Sequence, residues 1–304
     1  MDADRHPRLD PLAFRSLSLD DVEAVVAVVA ACERDDDGTV EIDASDVADH
    51  WRRPGFDLAV DTLGVFHGRD LVAVGEVFEG RSDTDVHPAW RGRGIGARLM
   101  RWTWERTRAA GRDEIGQTLP DVRTDAVALL RAHGYESRWT SWILSIDLGE
   151  PPAAPVLPDG FAIRSYRDAD EPAVYRVIED AFNEWPGREP SSFEAWRAIA
   201  TARSAFAPAM SPLIVRGDAI AGVAIGLDYH GNDEGWIHQV AVAREHRRLG
   251  LGRALLHESF RRVYAAGRRR CGLSTDSRTG ALALYEHAGM KVRRSYTRWT
   301  KRLP

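Results

Sequence analysis

Between Glu234 and Gly289 the sequence gathers residue types that can hold an anion and move a proton. The apolar run WIHQVAV ends at Val242, the polar turn AREHRRL follows, and Gly250, Leu251 and Gly252 open the helix-forming run ALLHESFRRVY. A strand that feeds a helix through glycines leaves backbone N–H groups bare at the positive end of the helix dipole, a ready phosphate site. Glycines also let the anion approach the backbone closely. A dinucleotide loop needs a third glycine where Leu255 stands, and a Walker loop needs Gly-Lys-Ser/Thr, which is absent. What remains is Arg-x-x-Gly-x-Gly, carried by Arg247, Gly250 and Gly252. No G-x-S-x-G elbow and no metal-spaced histidine cluster occurs, so neither a nucleophile nor a metal is expected.

The same loop occurs a second time, as Arg91-Gly92-Arg93-Gly94-Ile95-Gly96 after Val86. Other landmarks repeat in the same order. FRSLSLDDVEAVVAVVAACE matches FAIRSYRDADEPAVYRVIEDAF, with Arg15 set against Arg164, and ALLRAHGYE matches ALYEHAGMK, with Gly134 set against Gly289. Near-constant spacing of several landmarks marks a tandem duplication. The connector GEPPAAPVLPDG, residues 149–160, is rich in proline and supplies no core, so the boundary is expected there: one domain over 1–150, another over 151–304. Patterning in the second copy predicts elements at 161–166, 169–183, 191–204, 212–216, 219–229, 235–242, 250–266, 271–276, 279–288 and 290–300, a mixed α/β architecture. The first copy is less regular. Its central segment GRSDTDV carries Asp83 and Asp85, which suit a buried strand poorly.

Arg-x-x-Gly-x-Gly after an apolar strand, followed by ALALYEHAGM, resembles the acetyl-CoA site of the GCN5-related N-acetyltransferase (GNAT) superfamily, and the resemblance extends over residues 161–304. It implies two tandem GNAT-fold domains with an α/β mixed sheet. It also implies that Arg247, Arg248, Leu249, Gly250, Leu251, Gly252, Arg253 and Ala254 hold the CoA pyrophosphate. Val240, Ala241 and Val242 would then face the pantetheine arm, and Val86 with Arg91 to Gly96 would form the corresponding loop in the first copy. In layout the tandem copies are similar to mycothiol synthases of the same superfamily.

Acetyl transfer to an amine requires a neutral nucleophile, donors for the oxyanion and a proton for the departing thiolate. Tyr285, four residues before Gly289, matches the family's thiolate-protonating tyrosine. The aligned residue in the first copy is Leu130, so that copy is expected to be non-catalytic by this route, whether or not it binds CoA. The family's carboxylate position on the strand is Trp236, a departure that puts a direct glutamate base in doubt. Glu234 and His238 flank it on the same strand face and are the candidate bases. Substrate contacts are expected from Trp236 and from AFNEWPGREPSSFEAW, through Glu184 and Trp185, with Glu189 and Trp196 nearby. Acidic and aromatic groups together suit a cationic amine, and equally the tryptophans can serve only to pack two helices.

The whole chain of 304 residues has a formal charge of −5, with 44% hydrophobic and 29% charged residues. That balance describes a globular protein and gives no basis for coating nucleic acid or an anionic membrane. Cys32 and Cys271 have no framework spacing, the opening MDADRHPRLD has no apolar core, and no stretch reaches membrane-span length. A cytoplasmic protein, monomeric or homodimeric, is expected. Only Lys291 and Lys301 are lysines among 41 basic residues, a bias of GC-rich bacterial coding sequences. The reading that results is direct acetyl transfer from acetyl-CoA to a small-molecule primary amine. Acetylation of the mycothiol precursor, acetylation of proteins or peptides, and CoA sensing without turnover stay open as alternatives.

Overall fold

A computed structural model describes residues 12–40, 42–53, 55–185, 188–229 and 233–304. The opening segment read for a leader lies outside the described residues, as do residues 230–232. The chain forms two compact units: residues 1–138 with 296–304, and residues 139–295.

The first unit contains β1 (Ala13–Arg15), α1 (Val22–Asp37), α2 (Ala44–Trp51), α3 (Leu58–Asp61), β2 (Thr62–His67), β3 (Asp70–Phe78), β4 (Arg81–Val86), α4 (Ile95–Ala109), β5 (Glu114–Pro120), α5 (Thr124–Ala132) and the start of β6 (Glu136–Asp147). The second contains the rest of β6, β7 (Ala162–Ser165), α6 (Glu171–Phe182), α7 (Phe193–Ala200), β8 (Pro212–Arg216), β9 (Ala219–Asp228), β10 (Glu234–Val242), α8 (Leu251–Ala265), β11 (Arg270–Asp276), α9 (Leu282–His287) and the start of β12 (Lys291–Arg302). The helices and strands expected for the second copy all form, with ends shifted by a few residues.

The units do not divide where the connector suggests. In the second unit β11 pairs antiparallel with β6, from Arg270 opposite Asp147 to Asp276 opposite Ser141. In the first unit β5 pairs with β12, from Tyr296 opposite Pro120 to Arg302 opposite Glu114. Each unit therefore takes its last strand from the other sequence copy. Residues 139–148 of the first copy belong to the second unit, where Leu144 and Leu148 join the buried core.

That core is built on α8. Leu251, Leu255 and Leu256 and Phe260 follow helical spacing, are almost wholly buried, and pack on Ile237, Cys271 and Leu273. Each large side chain so buried contributes about 1.5–3 kcal/mol. On the other face of the sheet, Val174 and Ile178 of α6 and Trp196 of α7 pack on Ala241, Val223 and Ile225. Among the described residues no helix is long and apolar enough to cross a membrane.

The segment GRSDTDV does form a strand. β4 pairs with β3 over six residues, and its carboxylates are accommodated individually. Arg81 binds Asp83 at 3.0 Å, while burial pushes the Asp85 carboxyl up to about 6. Glu76 lies directly opposite Asp83, and burial raises it to about 7 despite a 2.7 Å hydrogen bond from Trp51.

Candidate active site

β10 and β11 run parallel and pair only from Glu234 opposite Arg270 to Ile237 opposite Leu273. Beyond Ile237, β10 stays paired with β9 alone, so the two parallel strands part. A cleft of about 730 Å³ occupies the parting and is lined from Ile237 to Val242 on one strand and from Leu273 to Asp276 on the other.

The parting coincides with a β-bulge. Ile237 faces Gly226 and Gln239 faces Ile225, which leaves His238 without a cross-strand partner. In the first copy the register is unbroken there: Ser82 faces Val77 and Asp83 faces Glu76. Counting back from the matched Val86 and Val242, His238 is an inserted residue with no counterpart. Bulges re-aim side chains, and this one sets His238 and Gln239 on the α7 side. Trp196 Nε1 donates to Gln239 Oε1 at 2.9 Å, and Ile237, Val240 and Val242 turn to the α8 side.

His238 lines the cleft, and its Nε2 is buried with no hydrogen-bond partner among the described residues. Burial, aided by the Arg203 charge, holds its pKa below the ordinary histidine value. The ring is therefore neutral near pH 7 with a lone pair available. On the opposite face Tyr285 also lines the cleft, packed against the α8 core. Burial raises its pKa, with Thr275 partly offsetting, so its hydroxyl keeps its proton. A neutral imidazole and a protonated phenol thus line one cleft from opposite faces of the sheet.

The glycine loop closes one end. Gly250 caps α8 at φ +80°, and no side chain satisfies the first-turn amides. Leu249 and Gly250 are exposed, and a Cβ at Gly250 would meet nothing within 4 Å. Arg248 adopts φ +64°, the left-handed conformation that Gly92 takes at φ +75° in the first copy. Gly94, at φ +79°, matches Gly250, and Ile95 and Gly96 begin α4 as Leu251 and Gly252 begin α8. The fifteen-residue α8 thus offers open N–H groups at Leu251, Gly252 and Arg253, and Ala254 closes the first turn by donating to the Gly250 carbonyl at 3.0 Å.

Arg247 does not point freely toward such an anion. Its Nε donates to the Val242 carbonyl at 3.2 Å, and its two terminal nitrogens bind Glu184 at 2.7 and 3.1 Å. Glu184, expected to meet a cationic substrate, instead gives its carboxylate to this pair, which holds its pKa down. Trp185 stacks on Phe182 at 4.3 Å, and both line the cleft. Glu179, which the sequence did not single out, anchors the connector: it accepts from Arg188, Asn183 and the Ser191 amide. Glu189 is exposed.

Two expected residues stand away from the cleft. Glu234 and Trp236 lie over Gly272, where an added Cβ would collide with both, and neither lines the cleft. Glu234 also faces Arg293 at 3.9 Å. Of the two candidate bases, the structure brings only His238 to the cleft. Trp196 is core, 1% exposed. In the first unit the position of Tyr285 is held by Leu130, 2% exposed, and Gln117 donates across the parting of β5 and β4 to Thr84.

Parting parallel strands and a helix start with open N–H groups meet at one cleft lined by His238 and Tyr285. The acetyltransferase (GNAT) family model matches residues 171–290. A crystal structure of a GCN5-related N-acetyltransferase from Sphaerobacter thermophilus is 31% identical, with a TM-score of 0.80 and 96% of each chain covered. The chain belongs to the GCN5-related N-acetyltransferase family and is an N-acetyltransferase. A tandem GNAT protein from the clavulanic acid biosynthesis pathway shares the fold at 19% identity and a TM-score of 0.73, covering 96% of this chain and 98% of that one. Mycothiol acetyltransferase of Thermobispora bispora is 28% identical over 226 residues, 71% of this chain and 72% of its own. That of Pseudarthrobacter chlorophenolicus is 29% identical over 250 residues, 76% and 73% of the two chains.

Proposed function

We propose that residues 139–295 transfer the acetyl group of acetyl-CoA directly to a primary amine of a small molecule. The observation that carries this reading is one cleft lined both by His238, whose buried Nε2 has no hydrogen-bond partner among the described residues, and by Tyr285. The bare first-turn amides of α8, from Leu251 to Arg253, take the pyrophosphate, with Ala254, whose own amide donates to the Gly250 carbonyl at 3.0 Å, closing the turn behind them, and the parted edge of β10 from Val240 to Val242 takes the pantetheine arm. Arg247 acts as a strut for the loop. His238 removes a proton from the ammonium, directly or through water; the amine attacks the thioester carbonyl, the C–S bond breaks as Tyr285 protonates the leaving sulfur, and the second proton shed by the acylated nitrogen passes through solvent to restore the Tyr285 hydroxyl. Phe182 and Trp185 wall the acceptor. With Leu130 for tyrosine and no bulge histidine, the first unit performs no acetyl transfer.

The two mycothiol acetyltransferase relatives favour a narrower second reading, in which the acceptor is the mycothiol precursor. Thiol release from acetyl-CoA, followed with that precursor and with a panel of other small amines and peptides, tests both. Turnover is expected with at least one small amine and not with peptides; CoA binding without turnover of any amine would leave a sensor instead.

A further inference from the structure

The cleft has a wall that comes from the sequence copy without the catalytic tyrosine. Ser141 of β6 lines it and lies directly opposite Asp276 of β11. Even-numbered residues of this strand, Trp142, Leu144 and Ile146, pack toward α8, so Trp139 and Ser141 stand on the opposite face, the one His238 occupies. Tyr285 and Val240 are on the α8 face. If the thioester lies against Tyr285, the amine must arrive from the His238 face, past Ser141.

This wall is braced. Arg278 binds Asp276 at 2.6 and 3.2 Å and stacks its guanidinium over Trp139 at 4.1 Å. Thr140 and Ser277 exchange two further hydrogen bonds, at 2.8 and 3.2 Å. Asp276 and Arg278 neutralise one another. What the wall presents is therefore hydroxyl chemistry, from Ser141 with Ser274 of the neighbouring strand on the same face, and no net charge.

We propose that Ser141 is a specificity-determining residue that contacts an uncharged, hydrogen-bonding group on the body of the acceptor, and that Trp139 is a positioning residue that holds Arg278 and the turn beyond β11. The inference rests on the acetyltransfer reading above. The acceptor has its ammonium at His238 and its hydroxyl- or amide-bearing part along β6. By sequence these residues belong to the first copy; by function they belong to the catalytic unit.

The test uses the full chain with acetyl-CoA and two six-membered-ring amines, glucosamine and cyclohexylamine. The wild type is expected to prefer glucosamine. Ser141→Ala is expected to lower kcat/KM for glucosamine about three- to tenfold, the effect of one neutral hydrogen bond, and to leave cyclohexylamine within about twofold. KM for acetyl-CoA stays unchanged. Trp139→Ala raises KM for glucosamine while sparing that for acetyl-CoA, and Trp139→Phe, which keeps a ring beneath Arg278, restores it. Equal loss with both amines, no loss with either, or a wild-type preference for cyclohexylamine would overturn the assignment of Ser141. A wild type that binds acetyl-CoA but acetylates no amine would overturn the acetyltransfer reading, and this inference with it.

Discussion

Arg247 and Glu184, 63 residues apart, form a two-pronged ion pair that ties the glycine loop to the connector after α6. The first unit repeats the device with a shorter acid: Arg91 donates to the Val86 carbonyl at 3.2 Å and to Asp35 at 2.5 Å. In both copies the arginine of Arg-x-x-Gly-x-Gly ties the loop to an acid at or just beyond the end of the first long helix, Asp35 in α1 and Glu184 after α6. Glu184→Ala frees Arg247 and slackens one wall of the cleft. The pair is substantially exposed, so solvent screens it and thermal stability is expected to change little. The change expected is in kinetics, a severalfold higher KM for acetyl-CoA at nearly constant kcat. A fall in kcat with KM unaltered would argue that Glu184 touches the reacting groups.

The roles proposed for His238 and Tyr285 predict a pH profile. His238 acts as a base only when neutral, and its pKa lies below the ordinary 6.5. Activity is therefore retained at and below pH 6.5 and lost as pH falls through the lowered value. Stability follows the same sign. A histidine held neutral contributes stability that is full above the unfolded value and lost as pH falls from there through the folded one. His238→Gln removes the acid limb and lowers kcat by about 10²- to 10⁴-fold. An acid limb that persists in this variant belongs to another group.

Tyr285 gives the complementary profile. Burial raises it above the ordinary value of 10.0, so no loss of its proton limits kcat across the neutral range. Tyr285→Phe keeps the packing against the α8 core and removes only the hydroxyl. It is expected to depress kcat and leave KM for acetyl-CoA nearly constant. Unchanged kcat would remove the tyrosine from the reaction.

Local signals in the sequence were enough to place the glycine turn, α8 and the helix that carries Tyr285, because helical periodicity and a glycine pair are properties of adjacent residues. The partners of the closing strands were not readable. ESRWTSWILSID and KVRRSYTRWTKR have similar β-rich patterns, and which of them lies beside β11 is decided by packing across the unit. Reading Glu234, Trp236 and His238 as one strand face was sound locally. It did not separate them, because the parting after Ile237 opens the cleft at His238 and leaves the other two over Gly272. The bulge had a trace in the sequence, since matched positions before and after His238 differ in offset by one residue; seeing it required the strand register.

Gly250 separates backbone strain from anion repulsion. Its φ of +80° costs a side-chain-bearing residue about 1–2 kcal/mol, and the space around its Cβ position is empty. Gly250→Ala is therefore expected to lower stability by about that amount and to weaken acetyl-CoA binding modestly. Gly250→Asp adds a negative charge at the positive helix end and is expected to weaken binding at least about tenfold beyond the alanine variant. Calorimetric titration of both variants with CoA checks this; equal affinities would mean that no phosphate sits at the loop.

The first unit differs from the second by more than one residue, and a revertant shows it. Leu130 sits in a core with Ile115, Tyr135 and Trp299 and is 2% exposed. A tyrosine there must bury a hydroxyl and extra volume, so Leu130→Tyr is expected to destabilise the unit by about 1–3 kcal/mol. Beside it, Gln117 bridges to Thr84, and burial raises Asp85, set where the second unit has Ala241. No bulge residue supplies a base, because β3 and β4 pair without interruption. Introduced into a chain that already carries His238→Gln and Tyr285→Phe, Leu130→Tyr should therefore restore no thiol release from acetyl-CoA. Recovered turnover in that triple variant would show that the first unit lacks only its proton donor.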